Sequence, residues 1–425
     1  MGLLTSIVWG FQTAYHLTLN PVTDLLPTPF FPVIHPGMGV QLAQTLRTPQ
    51  TCQSPQAQKF LVFGGGGAPS YNEIALEKNV LYFQRTLRTL GYDPAKAAYF
   101  FANGTNGQAT IRYLDPQGRQ RFKVPQIPNL IGASTPTNLQ RSLQTMGRQS
   151  SGKDSLFFYF TGHGIKNKQD DNNNAIMLWR DQPVTVQQFT QLLDRLPQET
   201  SVVTVMVQCY SGSFANLIYQ KGDPDRAIAL QNRCGFFATV KTLPSVGCTP
   251  AVNEADYRDY SSSFFAGLSG RSRIGQIVPS ADYNQDGRVS YGEAHAFAKV
   301  DGKTTDLPIS TSEAWLQRQM AEREQDGLLN QSIAQILRTA RPEQRYVVNS
   351  LVQQFSFNPE LPFGRNMRQL SQSRYARDEQ QAYLIRLRTE LLNIALERQV
   401  RGSGSVQNIA TLDRLLSCEG GSWGR

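Results

Sequence analysis

Residues 156–164 read LFFYFTGHG and residues 202–213 read VVTVMVQCYSGS. In each, a short run of aromatic or β-branched residues leads into a glycine-containing turn that carries one reactive side chain, His163 in the first and Cys209 in the second. Runs this short and this apolar read as strands buried on both faces, the signature of a parallel sheet covered by helices. Residues 185–193 have the spacing of a helix between the two strands, so a right-handed crossover brings both strand ends to one edge. Ligands and chemistry collect at the carboxyl ends of such strands. The pattern predicts one imidazole and one thiol side by side.

Working outward, residues 60–63 read as a strand, 64–67 as a glycine turn, 76–90 as an amphipathic helix and 97–101 as a second strand, which together make a βαβ unit. The glycine run lacks a Gly-Lys-Ser/Thr and has Pro69 where a dinucleotide fingerprint needs glycine, so it reads as a close backbone turn beside the cleft. Residues 103–131 are polar and read as a surface excursion, and 137–146 as a helix before the histidine strand. Strands alternating with helices imply an α/β, three-layer α/β/α fold with a mostly parallel central sheet. Past residue 310 the pattern becomes helical only, opens on a capping-box spacing at Ser310 and Glu313, and contains no lysine. Residues 310–425 are therefore expected to form a C-terminal all-helical domain, with a flexible joint at 402–405. Residues 1–57, rich in Pro, Thr and Gln, read as an extension with little regular structure.

Hydrophobic residues make up 40% of the 425-residue chain and charged residues 18%, which excludes a disordered polyelectrolyte. No run is long enough for a membrane span. The net charge of +9 is scattered, with no basic block and no base-reading motif, so no nucleic-acid partner is expected. The N-terminus has no basic stretch before its apolar residues, which makes a poor secretory signal and leaves the compartment open. Met1, Gly2 and Ser6 formally fit a myristoylation pattern. Five cysteines occur with no Cys-x-x-Cys pair, so zinc ligation by paired thiols is not suggested. Cys234 and Cys248 are either bridged or two reduced thiols, and Cys209 is the candidate for a free one.

A thiol is only partly ionised at neutral pH, and a neighbouring imidazole raises the reactive fraction. Cys209 and His163 thus have the chemistry of a nucleophile and its base, and the backbone amides of Gly164 and Cys209 are candidate donors to an oxyanion. At these two blocks the chain resembles the caspase-like cysteine peptidases, and among them the legumain (asparaginyl endopeptidase) branch. The helix start at Thr135, Pro136, Thr137, Asn138 and Leu139 looks like the segment before that family's histidine strand. The resemblance covers roughly residues 58–270. It implies a caspase-like fold over residues 58–309, with Cys209 as nucleophile and His163 as base and then acid in an endopeptidase acting on proteins or peptides through a thioester. It also implies that residues 236–242, with Thr239, line a specificity pocket. The chain departs from the legumain pattern at Val207, where an acidic residue is expected, and at Tyr71, Asn72 and Glu73, where an Arg-His pair is expected. Glu73 and Asp259 are then candidates for an acidic pocket that takes Lys or Arg.

Asp282, Asn284, Asp286, Gly287, Arg288, Ser290 and Glu293 occupy positions of the 12-residue EF-hand loop, oxygen ligands alternating and a glycine at the sharp turn. The loop at 282–293 is a candidate Ca2+ site with a poor entering helix, since Pro279 precedes it. Residues 219–233 are polar and read as a processing loop. The C-terminal helices are candidates for a partner contact or a self-inhibitory one. Two alternatives stand beside hydrolysis: a catalytically silent interaction scaffold of the same fold, and a peptide ligase or transpeptidase using the same dyad.

Overall fold

The computed structural model describes residues 58–149, 154–370 and 378–423. The expected N-terminal extension and its myristoylation-like match lie outside the described residues. Among the described residues eleven strands form: β1 (Gln58–Gly65), β2 (Ala98–Phe101), β3 (Ile111–Leu114), β4 (Gln120–Lys123), β5 (Leu130–Gly132), β6 (Ser155–Ile165), β7 (Ala175–Leu178), β8 (Gln182–Thr185), β9 (Ser201–Val207), β10 (Arg233–Phe237) and β11 (Ile309–Ser310). The helices around the sheet are α1 (Ile74–Thr89), α2 (Pro136–Gln149), α3 (Val186–Leu193), α4 (Tyr260–Ser269) and α5 (Tyr291–Asp301). They are followed by α6 (Thr311–Gln317), α7 (Glu322–Leu328), α8 (Ile333–Leu337), α9 (Pro342–Phe355), α10 (Phe363–Gln369), α11 (Asp378–Gly402) and α12 (Val406–Glu419).

Nine strands make the main sheet in the order β11-β10-β9-β6-β1-β2-β5, with β7 and β8 attached at the end of β6. Its central pairs are parallel. Because side chains alternate along a strand, each central strand serves two cores. Leu61, Phe63, Leu156, Phe158, Phe160, Val202 and Met206 face α2, α3 and the helices after residue 310. Phe60, Val62, Phe157, Tyr159, Val203, Val205 and Val207 face α1, α4 and α5. The result is the three-layer α/β/α fold with a mostly parallel sheet that the apolar runs predict. Fully buried aromatics such as Phe157, Phe158 and Phe160 contribute about 1.5–3 kcal/mol each.

Three details differ from the sequence reading. First, β6 does not turn at Gly162: it continues to Ile165 and pairs antiparallel with β7. The glycines there serve close approach, since a Cβ on Gly162 would stand 2.8 Å from the Gly65 carbonyl oxygen. Second, the excursion at 103–131 holds the β3–β4 hairpin and the edge strand β5. Their mixed, partly exposed side chains carry no apolar periodicity. Third, Cys234 is bonded to Cys418 on α12, not to Cys248. The Cys234–Cys248 bridge is thus corrected, and Cys248 is a free, exposed thiol. The helices after residue 310 form as expected and lie in the same compact unit, Thr51–Arg425, as the sheet. No helix of the described residues is long and apolar enough to cross a membrane.

Candidate active site

Sheet register brings the two reactive residues together. β6 and β9 run parallel with Thr161 opposite Val207 as the last paired residues, and His163 and Cys209 each follow two positions later. After β9 the chain reverses sharply through Tyr210, whose φ of 60° is left-handed. The reversal is held by Gly212 N–H donating to Thr239 O at 2.8 Å and Tyr210 N–H donating to Leu243 O at 2.9 Å. Gly164 is demanded by the site, because a Cβ there would stand 2.0 Å from the Cys209 carbonyl oxygen. The backbone of the histidine strand lies directly against that of the cysteine turn.

His163 is held from the side away from Cys209's strand. Its Nε2 lies 2.9 Å from Tyr71 O and 3.0 Å from Glu73 Oε2. Both neighbours are acceptors, so this nitrogen carries a proton. Glu73 is the N-cap residue of α1, and its other oxygen receives Arg112 Nη2 at 2.6 Å. Burial raises the Glu73 carboxyl, but His163 and Arg112 outweigh it and hold the group below its ordinary value. The loop carrying Tyr71 is set by Asn72, fully buried, whose Oδ1 accepts from Gly66 N–H at 3.0 Å. Gly66 has no room for a side chain, since a Cβ would meet Tyr71 O at 1.9 Å. The glycine run is the tight turn beside the cleft.

A strap formed by residues 243–250 crosses the strand ends. Ser245 N–H donates to Cys209 Sγ at 3.3 Å, and the thiol points back to Ser245 O at 3.6 Å. Asp306 anchors the strap by accepting from Ser245 Oγ and Val246 N–H, both at 3.0 Å. Farther along, Thr249 O accepts from Ala75 N–H and Pro250 O from Leu114 N–H. Between these anchors sits Cys248, whose sulfur is grouped with a ring nitrogen of His163 and a Glu73 oxygen, all within 4.8 Å of one another. Burial lowers the basicity of His163, but the Cys248 and Glu73 side chains reverse this and raise it to about 10. Burial pushes the Cys209 thiol up, against the Ser245 N–H. In this arrangement the imidazole is a cation paired with Glu73, and Cys209 is a protonated thiol.

Other candidate residues have structural employment. Glu73 belongs with the histidine, not in an acidic pocket. Asp259 is buried, caps α4, and pairs with Arg273 Nη1 at 2.9 Å. The burial of both carboxylates against arginines is why neither is a free charge for a cationic substrate. Thr239 is fully buried and holds the cysteine turn through its backbone. Sequence reasoning missed the strap, Cys248's place in the site, and Asp306. Nothing in their local spacing marks them, because each reaches His163 or Cys209 from a distant segment.

The 282–293 loop winds as its glycine requires, with Gly287 at φ 85°. Asp282 accepts from the N–H groups of Asp286 and Gly287, and Asn284 Oδ1 also accepts from Asp286. Glu293 closes the loop by accepting from Tyr283 and Asn284 at one oxygen and from Ser290 at the other, inside a capping box that starts α5. The residues just before the loop form no helix. The donor set is all oxygen, as a hard divalent cation prefers. Arg288 leans toward Asp286, with 4.0 Å between guanidinium and carboxylate.

Residues 80–218 match the family model described as metacaspase, peptidase C14 domain. No curated protein matches the chain. Among solved structures, a protein from Geobacter sulfurreducens is similar at 11% identity and a TM-score of 0.35, over 56% of this chain and 88% of that one. Caspase-1 from Spodoptera frugiperda is similar at 10% identity and a TM-score of 0.30, over 51% of this chain and 71% of that one. The matched segment contains both His163 and Cys209 but stops short of Glu73 and Cys248, and it supports a caspase-like cysteine peptidase.

Proposed function

We propose that the chain is a cysteine endopeptidase working through Cys209 and His163. The observation that carries this is the shared register of β6 and β9, whose parallel pairing stops two residues before one imidazole and one thiol. In the reaction, movement of the strap takes Cys248 away from His163 and the imidazolium gives up one proton to solvent. Cys209 Sγ then bonds to the substrate carbonyl carbon as its own proton passes to the neutral His163. The tetrahedral oxyanion is met by backbone amides, for which Gly164 and Cys209 are the candidates. His163 then gives its proton to the leaving amine as the C–N bond breaks. Water attacks the thioester, His163 takes its proton, and the thiol is restored as the C–S bond breaks.

The geometry described above is a resting one. The base is engaged with Glu73 and Tyr71, and the nucleophile is engaged with the strap, so substrate binding or cleavage of the chain must shift residues 243–250. The loop at 219–233 is a candidate for such cleavage. Legumain-type asparaginyl cleavage and cleavage after Lys or Arg are the specificities to separate, and the engagement of Glu73 and Asp259 by arginines weakens the second. Calcium at the 282–293 loop belongs to the same proposal: Asp282, Asn284, Asp286, Ser290 and Glu293 would hold it, with Arg288 offering its backbone carbonyl.

The test is a fluorogenic peptide panel varied at the residue before the cleaved bond, with and without calcium, against Cys209→Ala. No turnover of any peptide by the intact or the proteolytically nicked chain overturns the proposal and favours the silent scaffold. A product joined to an added amine, in place of hydrolysis, identifies the ligase reading. A melting temperature indifferent to calcium removes the metal.

A further inference from the structure

We infer that Glu73, His163 and Cys248 form a binding site for a zinc-like divalent transition cation, and that occupancy of this site holds the Cys209–His163 pair silent. The inference about binding stands on the cluster itself, and only the silencing rests on the peptidase reading. The three side chains come from three separate segments, the start of α1, the end of β6 and the strap. They nevertheless bring a carboxylate oxygen, an imidazole nitrogen and a sulfur within 4.8 Å of one another. Ligand atoms around a tetrahedral zinc, at roughly 2.0 Å for N and O and roughly 2.3 Å for S, lie about 3.3–3.5 Å apart. Glu73 Oε2 and His163 Nε2 are already 3.0 Å apart. Around an ion this pair would widen slightly and the sulfur would close in, with the ring proton leaving as the metal binds.

The surroundings also suit a metal. Arg112 fixes Glu73 through the oxygen that faces away from His163, which is how outer partners orient a ligating carboxylate. Cys248 is held on both sides, by Val246 N–H donating to the Asp306 carboxylate and by Ala75 N–H donating to Thr249 O. A thiolate with an imidazole and one carboxylate selects a borderline-soft ion over calcium or magnesium, whose ligands are oxygens. Three protein ligands leave a fourth position open to water. A metal-bound ring nitrogen is pinned, and the strap, tied to the ion through Cys248, stays closed over Cys209.

Cobalt(II) titration of the full-length chain tests this, because a thiolate ligand gives a sulfur-to-cobalt charge-transfer band that oxygen-only sites such as the 282–293 loop do not give. Three proteins are compared in a Cys52→Ser background: the parent, Cys209→Ala and Cys248→Ser. The expected result is one equivalent of cobalt with the band in the parent and in Cys209→Ala, and loss of the band in Cys248→Ser. Zinc affinity, read by competition with a chromophoric chelator, should fall at least about 10-fold in Cys248→Ser and in Glu73→Gln. A band that persists in Cys248→Ser but vanishes in Cys209→Ala, or no band in the parent, overturns the site. Circular dichroism confirms that the exposed Cys248 can be changed without unfolding. If metal binds as expected while no peptide is ever cleaved, the site stands and the peptidase reading fails.

Discussion

Cys209 follows a central strand by two residues, half-buried, with its sulfur hydrogen-bonded to both backbone groups of Ser245. Cys248 lies on the strap, exposed, beside His163 and Glu73. Sheet register fixes the first thiol and a handful of backbone bonds to neighbouring loops fixes the second. The comparison teaches that nearness to an imidazole does not by itself name the nucleophile. The thiol on the rigid element is the one a substrate can be positioned against, and the thiol on the strap is the one placed to regulate it.

The sharpest way to break that comparison is to remove each thiol in turn. Cys209→Ala should lower kcat/KM on the best panel peptide by about 10^4-fold or more. Cys248→Ser should leave turnover in metal-free buffer at least at the parent level. The reverse result would exchange the roles of the two cysteines.

Next in size is the pair that holds the base. Glu73→Gln keeps the shape of the side chain but removes the charge facing His163 Nε2. A fall in kcat of roughly 10–10^3-fold with KM nearly unchanged is expected, as for a group that orients a catalytic imidazole. Glu73→Asp should recover part of it. Equal losses in Glu73→Gln and Glu73→Asp, accompanied by a lower melting temperature in both, would reduce Glu73 to a structural ion pair with Arg112.

What the sequence disclosed follows from the same contrast. Unbroken apolar runs at residues 156–160 and 202–207, whose side chains alternate between two buried faces with period two, write the sheet into the chain directly, and register then carries His163 and Cys209 to one edge. The strap has no such period. Residues 243–250 are in place because Asp306, Ala75 and Leu114 bond to them from far along the chain, and such partners leave no local pattern. Glu73 was visible as an acid but not as His163's partner, since the two are 90 positions apart. Cys234 could be seen as a bridging cysteine, while its partner at position 418 depended on where α12 packs.

Thiol labelling sharpens the difference at a smaller scale. With iodoacetamide, Cys248 should alkylate roughly 10-fold faster than Cys209 in the resting chain, because thiol modification follows access as well as thiolate character. Mass mapping of the two peptides over time measures it. Adding a tight-binding substrate aldehyde should protect Cys209 alone.

The smallest effect is expected at the anchor of the strap. Asp306 is buried, accepts from Ser245 Oγ and Val246 N–H, and lies near Asp259 and Arg386. Burial raises its carboxyl to about 7, against the hydrogen bonds from the strap, which lower it. A carboxyl raised in the folded state binds its proton more tightly there than in the unfolded chain. Its stabilising contribution is therefore fully present below about pH 3.9, the ordinary aspartate value. It is lost as pH rises through about 7, where the fold must hold a buried carboxylate. Asp306→Asn removes that titration but can supply only one oxygen to the strap's two donors. The melting temperature of the parent relative to the variant should thus fall by a few degrees between pH 5 and pH 8. Iodoacetamide should reach Cys209 a few-fold faster in the variant at pH 8, where both oxygens of the parent carboxylate accept from the strap. A pH-independent melting difference would mean that Asp306 stays ionised throughout, and that the strap is fastened by charge and not by a shared proton.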